Sequence, residues 1–261
     1  MSSHYKRKEL GQHFLHDPAI VRRIVAAIDP RPGDIMAEIG PGEGVLTRKL
    51  ATRVDSLHAV ELDPQLAARL QEEFRSDPKV FVYHADALGF DFCRLRRRGH
   101  KLRVVGNLPY QVSTPLLFHL LQHAPCIEDM CFMLQKEVVD RLCAAPGTKA
   151  YGRLGVMIQW RCHTERLFVV GPGAFQPPPK VDSGLVRLIP YTTAPVAVTD
   201  ESVFAGIVAA VFNQRRKTLR NALKGILDAH QISALDIDSG RRGETLTLEE
   251  FAALGNAAAH R

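Results

Sequence analysis

The 261-residue sequence has no apolar run approaching the ~18 residues that a membrane-spanning helix needs, and Met1 to Leu10 is polar and basic, with no apolar segment of leader length. No membrane partner is expected, and a soluble, cytoplasmic protein is. Cysteine is scarce. The five residues Cys93, Cys126, Cys131, Cys143 and Cys162 are odd in number, lie in or beside apolar runs and show no C-x-x-C spacing, so they are expected to be reduced, mostly buried thiols. The eleven histidines fall in no metal-ligand spacing, and H-E-x-x-H, G-x-S-x-G and the P-loop pattern are missing. Those absences exclude the common zinc-protease, serine-hydrolase and P-loop signatures. No repeat of fixed period occurs, which removes solenoid architectures.

The chain is long enough for one large domain and a small one, burying roughly 70 to 75% of its unfolded surface without help from disulfides or metals. Formal charge is +6, unevenly spread. The last segment, residues 191–261, holds eight basic and eight acidic residues, yet places Arg215, Arg216, Lys217, Arg220 and Lys224 within ten positions. Local patches of this kind point to a polyanionic partner contacted at defined places. Lys6-Arg7-Lys8 and Arg94 to Lys101 are two further basic segments.

From Asp34 to about Pro190, short apolar runs alternate with amphipathic stretches, the pattern of an α/β fold around a mostly parallel sheet. Strands are expected at Ile35 to Ile39, Leu57 to Leu62, Val80 to Tyr83, Leu102 to Val105 and Met130 to Leu134. Leu167 to Val170 and Gly184 to Ile189 are expected as a late antiparallel pair at one edge. Helices are expected at Val45 to Ala51 and from Pro64 to about Arg75, and one before the sheet from the N-cap Asp17, with Pro18 next, to Ala27. An arm, residues 1–16, precedes it. The Pro/Thr/Ala-rich stretch Pro190 to Thr199 reads as a linker, giving domains 1–190 and 191–261. The second is helical: Glu201 to Phe212, Leu219 to Ala229, and a last helix capped by Thr247 with Glu250 three residues on.

Four strand ends in succession carry a group suited to ligand chemistry. Gly40-Pro41-Gly42-Glu43-Gly44 lies at a strand-to-helix turn, where missing side chains let backbone N–H groups approach a ligand. A dinucleotide fingerprint needs a further glycine where this chain has Val45. Glu61, at the end of the second strand, is placed to accept from ribose hydroxyls, which suits a dinucleotide or S-adenosylmethionine. Asp86, after the third, can accept from an adenine amine or cap a helix after the strand. Asn107-Leu108-Pro109-Tyr110 follows the fourth. An exocyclic amine is a poor nucleophile because its lone pair is shared with the ring; the Asn107 side-chain oxygen and the Leu108 carbonyl can accept its hydrogens and favour tetrahedral geometry. Pro109 fixes φ, and Tyr110 offers a flat face for an extruded base. Phe175-Gln176-Pro177-Pro178-Pro179-Lys180-Val181 reads as a stiff, extended loop whose Phe175 ring forms a second wall for that base. Together these describe methyl transfer to an amine, and Asn213 to Asn221 reads as a helix start whose Arg215, Arg216, Lys217 and Arg220 follow an RNA backbone.

In this order, Gly11-Gln12-His13-Phe14-Leu15, Glu38 to Gly44, Glu61-Leu62-Asp63, Asp86-Ala87-Leu88, Asn107 to Tyr110, Phe175 to Val181 and Arg215-Arg216-Lys217 resemble the small-subunit ribosomal RNA adenine dimethyltransferases, over residues 7 to 255. The resemblance implies a Rossmann-like class I S-adenosylmethionine-dependent methyltransferase sheet with a small C-terminal helical domain. It implies four methyl transfers, to N6 of two adjacent adenosines near the 3′ end of 16S rRNA, in an immature small (30S) subunit. The product would be S-adenosylhomocysteine, no metal is expected, and the protein would act as a monomer. Carried over by position, cofactor contacts fall on Gln12, His13, Leu15, Gly40, Gly42, Glu61, Leu62, Asp86, Ala87 and Asn107. The family usually has Asn where this chain has His13. Two other readings remain open: the large-subunit rRNA adenine methyltransferases of antibiotic resistance, and a non-catalytic ribosome-assembly or RNA-binding factor on the same scaffold.

Overall fold

The computed structural model describes residues 13–97 and 99–259. Gln12 and Lys6-Arg7-Lys8 lie outside the described residues. The described strands are β1 (Phe14–Leu15), β2 (Ile35–Ile39), β3 (Ser56–Glu61), β4 (Val80–His84), β5 (Leu102–Asn107), β6 (Ile127–Gln135), β7 (Cys162–Val170), β8 (Phe175–Gln176) and β9 (Ser183–Pro190). Seven form one sheet in the order β4-β3-β2-β5-β6-β9-β7. Pairings from β4 to β6 are parallel and β6–β9 is antiparallel. The late strands therefore lie together at one edge, as expected, and β9 separates β7 from β6. β2 and β3 are buried along their whole length, as strands covered on both faces must be.

The order reverses between β2 and β5, and at such a switch point the connections leave in opposite directions and open a crevice at the strands' carboxyl ends. β2 ends before Gly40 and β5 ends on Asn107. Gly106, which sequence inspection passed over, allows the two ends to approach: a Cβ there would lie 2.5 Å from the Ile39 carbonyl oxygen. At the opposite end of the sheet Arg103 is buried among acceptors. Its guanidinium donates twice to Asp129 (2.8 and 2.9 Å), to Asp34 (2.7 Å) and to the carbonyls of Ile28 and Asp29 (2.6 and 3.0 Å).

The chain divides into two compact units, residues 1–139 with 165–190, and residues 140–164 with 191–261. One break between the units falls between Pro190 and Tyr191, and residues 140–164 belong with the C-terminal segment rather than with residues 1–139. Their Ala144, Tyr151, Val156 and Trp160 share one apolar core with Phe204, Val208, Leu223 and Phe251, and the Tyr151 hydroxyl donates to the Leu246 carbonyl at 3.0 Å. The stretch read as a linker is anchored in this unit too: Asn256 accepts from the Thr199 N–H and donates to the Ala197 carbonyl.

Local chemistry explains the helix ends. Asp17 caps Pro18–Ile28 and Asp63 caps Pro64–Glu73, each accepting two backbone N–H groups, and the Thr247/Glu250 box opens Leu248–Ala259. The expected Leu219 to Ala229 helix is cut short. It ends at Ala222, Gly225 takes a left-handed φ of +86°, and a new helix, Ala229–Ser233, begins behind its own Asp228/Gln231 capping box. Residues 214–217 form a turn rather than the start of a helix, because the preceding helix runs on to Asn213.

Candidate active site

A cavity of about 200 Å³ opens at the switch point, lined by every strand-end group singled out from the sequence: Gly40, Gly42, Glu61, Leu62, Asp86, Ala87 and Asn107 to Tyr110. His13 and Leu15 from the arm line it as well. The arm is held there by the short antiparallel pair β1–β8, with Leu15 opposite Phe175.

Glu61 is 3% exposed, and its two carboxylate oxygens each accept one backbone N–H, Oε2 from Gly42 at 3.0 Å and Oε1 from Asp63 at 2.9 Å. Burial pushes its pKa up while those two bonds pull it back. Each oxygen keeps lone-pair capacity for one further donor, so the carboxylate can receive two vicinal hydroxyls. Gly42, at φ +58°, presents its N–H because it carries no side chain: a Cβ would lie 3.0 Å from the Phe14 ring. Asp86 closes a turn, its Oδ1 accepting from the Leu88 N–H at 2.9 Å, while Oδ2 has no partner among the described residues. The helix cap weighed for Asp86 is a turn closure instead, and it occupies one oxygen and leaves the other for a donor. Val60, Leu62, Ala87 and Leu88 supply the apolar part of the wall.

At Asn107 the side-chain nitrogen donates to the His13 carbonyl at 2.9 Å, which fixes the amide plane and leaves Oδ1 without a partner among the described residues. The Leu108 side chain is buried and its N–H is taken by the Met133 carbonyl. Tyr110 is half-buried, with its hydroxyl 2.9 Å from Ser183 Oγ, and burial raises its pKa against that bond. Its ring lies 5.6 Å from the His13 imidazole, whose Nδ1 is 2.7 Å from the Pro177 carbonyl.

The donor set fits S-adenosylmethionine. A buried carboxylate matches ribose hydroxyls, Asp86 and the apolar wall match adenine, and the glycine turn leaves main-chain room for the remainder. The profile of the family described as ribosomal RNA adenine dimethylase matches residues 3–259. The chain belongs to this family. It is 51% identical over 253 residues to "Ribosomal RNA small subunit methyltransferase A" of Pseudomonas aeruginosa, covering 97% of this chain and 94% of the relative. To the protein of the same name in Laribacter hongkongensis it is 53% identical over 256 residues, covering 98% and 97%. Among solved structures, a dimethyladenosine transferase from Plasmodium falciparum superposes with a TM-score of 0.81 at 26% identity, covering 93% of this chain and 96% of that one. The 23S rRNA methyltransferase ErmE gives 0.73, also at 26% identity, covering 94% and 99%.

Two expectations need correction. Phe175 is not a wall of the cavity: it is 1% exposed, packed in the apolar core of its unit, because β8 pairs with the arm and turns the ring inward. The aromatic neighbour of Tyr110 is His13. Arg215 is not a free cation, although it is partly exposed. Its guanidinium donates to Glu244 at 2.7 Å and to the Lys149 carbonyl at 2.8 Å, whereas Arg216, Lys217 and Arg220 are exposed.

Glu38 also lines the cavity and was missed as a site residue, because within the buried β2 its position reads as part of the strand. It is fully buried, accepts from the Thr47 hydroxyl at 2.6 Å, and burial pushes its pKa up to about 7. No helix among the described residues is long and apolar enough to cross a membrane.

Proposed function

We propose that the protein is an S-adenosylmethionine-dependent methyltransferase that places two methyl groups on N6 of each of two adjacent adenosines near the 3′ end of 16S rRNA. Its substrate is the immature 30S subunit in the cytoplasm. The observation that carries this reading is the Asn107 amide, held by its nitrogen, on a residue that lines the same cavity as Glu61 and Asp86.

Gly40, Gly42, Glu61, Leu62, Asp86 and Ala87, with His13 and Leu15 of the arm, hold the cofactor. When bound, S-adenosylmethionine supplies a methyl group already activated by its sulfonium charge. Asn107 Oδ1 and the Leu108 carbonyl accept the two amine hydrogens of the target base, drawing its lone pair out of conjugation with the ring. Pro109 restricts the backbone between those acceptors and Tyr110, whose ring supports the base face. The protein's contribution is alignment, worth about 7 to 11 kcal/mol in favourable cases. Arg216, Lys217 and Arg220 supply exposed positive charge for the RNA backbone.

Transfer of labelled methyl from cofactor to under-methylated small subunits, followed by a primer-extension map of modified adenosines, tests the reading. Label at the paired 16S positions is the expected result. Label on large-subunit RNA would give the other target group, and no label would leave a binding factor.

A further inference from the structure

Away from the cavity, two segments that are remote in sequence bring sulfur, nitrogen and oxygen donors together. Asp91 caps the single turn Phe92–Leu95, its Oδ1 accepting from the Cys93 N–H at 3.0 Å. Cys93 is bonded to Cys126, thirty-three residues on, with their Cα atoms 5.4 Å apart. The reading of five reduced thiols therefore fails for this pair; Cys131, Cys143 and Cys162 stay outside any disulfide. His123, just after the helix Ser113–Gln122, completes the group: the donor atoms of Asp91, Cys93 and His123 all lie within 4.8 Å of one another.

The imidazole shows what the group lacks. Its Nδ1 is 3.1 Å from the His119 carbonyl, which can only accept, so Nδ1 carries the hydrogen. Nε2 is then the ring atom that faces Asp91 Oδ1, 3.5 Å away. Nε2, the Asp91 carboxylate and Cys93 Sγ thus lie close enough together for one cation to bridge them. A histidine held by a carbonyl through its other nitrogen is also the usual arrangement of a metal-ligating imidazole.

We propose that, with the Cys93–Cys126 bond reduced, these two sulfurs, His123 Nε2 and the Asp91 carboxylate hold a zinc ion. Two thiolates, one imidazole and one carboxylate make a four-ligand set suited to a borderline-soft cation. Bond lengths of about 2.3 Å to sulfur and about 2.0 to 2.1 Å to nitrogen or oxygen put tetrahedral donors roughly 3.3 to 3.8 Å apart, so side-chain rotation closes the present spacing. The chemistry balances with a thiol reductant. Two R–SH molecules cleave the disulfide to give two cysteine thiols and one R–S–S–R, and binding of the dication then displaces the two thiol protons. Asp91 is exposed and gives the ion a route in, while Cys126 is buried. Sequence spacing could not reveal the site, because its ligands come from two segments on either side of β5.

The test uses the whole protein reduced with a phosphine, titrated with Co²⁺ as a spectroscopic probe and then with Zn²⁺. The reduced protein is expected to bind Co²⁺ stoichiometrically with a thiolate-to-cobalt charge-transfer band, which Zn²⁺ displaces and which the disulfide form lacks. Cys93→Ser with Cys126→Ser should abolish the band, and His123→Gln should weaken uptake by at least roughly tenfold. The disulfide form of the unaltered chain serves as a control that does not depend on a variant folding. Absence of the band in the reduced protein, or its persistence in the double serine variant, would overturn the proposal.

Discussion

The side-chain nitrogen of Asn107 donates to the backbone carbonyl of His13 at 2.9 Å, across ninety-four residues of sequence. The arm thereby sets which way the amide of the Asn107–Tyr110 loop points. Asn107→Ala should lower kcat by roughly two to three orders of magnitude, the scale for removing a polar group that acts on a transition state, with a smaller effect on cofactor affinity. Asn107→Asp should fail as well, since it sets a carboxylate oxygen against the His13 carbonyl. Single-turnover methylation alongside calorimetry of cofactor binding separates the two effects; normal turnover in either variant would refute the assignment.

Glu61 is anchored by the Gly42 and Asp63 N–H groups, so its carboxylate is preorganised before a ligand arrives. Glu61→Ala removes hydrogen bonds to a charged acceptor, worth about 1.5 to 3 kcal/mol, and should raise the cofactor Kd roughly ten- to hundredfold. An unchanged calorimetric Kd would remove Glu61 from the cofactor site.

Burial holds the Glu38 carboxyl at about 7, above its ordinary value of 4.5. The folded state therefore binds more protons than the unfolded state between those values, and stability falls as pH rises through that window, with the loss complete above it. The cumulative loss is about 3 kcal/mol. Glu38→Gln should flatten this slope in urea unfolding followed from about pH 4 to 8, and an identical slope would place the titration elsewhere.

Arg103 satisfies two carboxylates and two carbonyls in a site where it is only 10% exposed. Arg103→Ala leaves Asp34 without its cation and Asp129 with only Arg187, 3.8 Å away, and should cost about 3 to 5 kcal/mol. Thermal unfolding measures the loss, and a change below ~1 kcal/mol would mean the carboxylates find other partners.

The basic segment should divide into two kinds of residue. Arg216, Lys217 and Arg220 changed together to Ala should weaken binding to the small subunit and reduce its salt dependence, leaving thermal stability near the original. Arg215→Ala should instead lower stability, because Glu244 and the Lys149 carbonyl lose their donor. Equal stability losses in both variants would erase the distinction.

What the sequence by itself determined was local or periodic. Asp17, Asp63 and Thr247 mark helix starts because a cap acts within three residues, and the alternation of apolar runs specified strands whose carboxyl ends carry Gly40, Glu61, Asp86 and Asn107. The family pattern was legible for the same reason: its motifs lie at turns, where few residue types suit the backbone. Pairing and burial at long range belonged to the tertiary structure. It turned Phe175 into the core through the β1–β8 pair, tied Arg215 to Glu244, joined residues 140–164 to the helical unit, and brought Cys93 to Cys126. Each of those depends on which distant segment supplies the partner, and neither spacing nor composition encodes that; it is set when the sheet order brings the segments together and the apolar faces close.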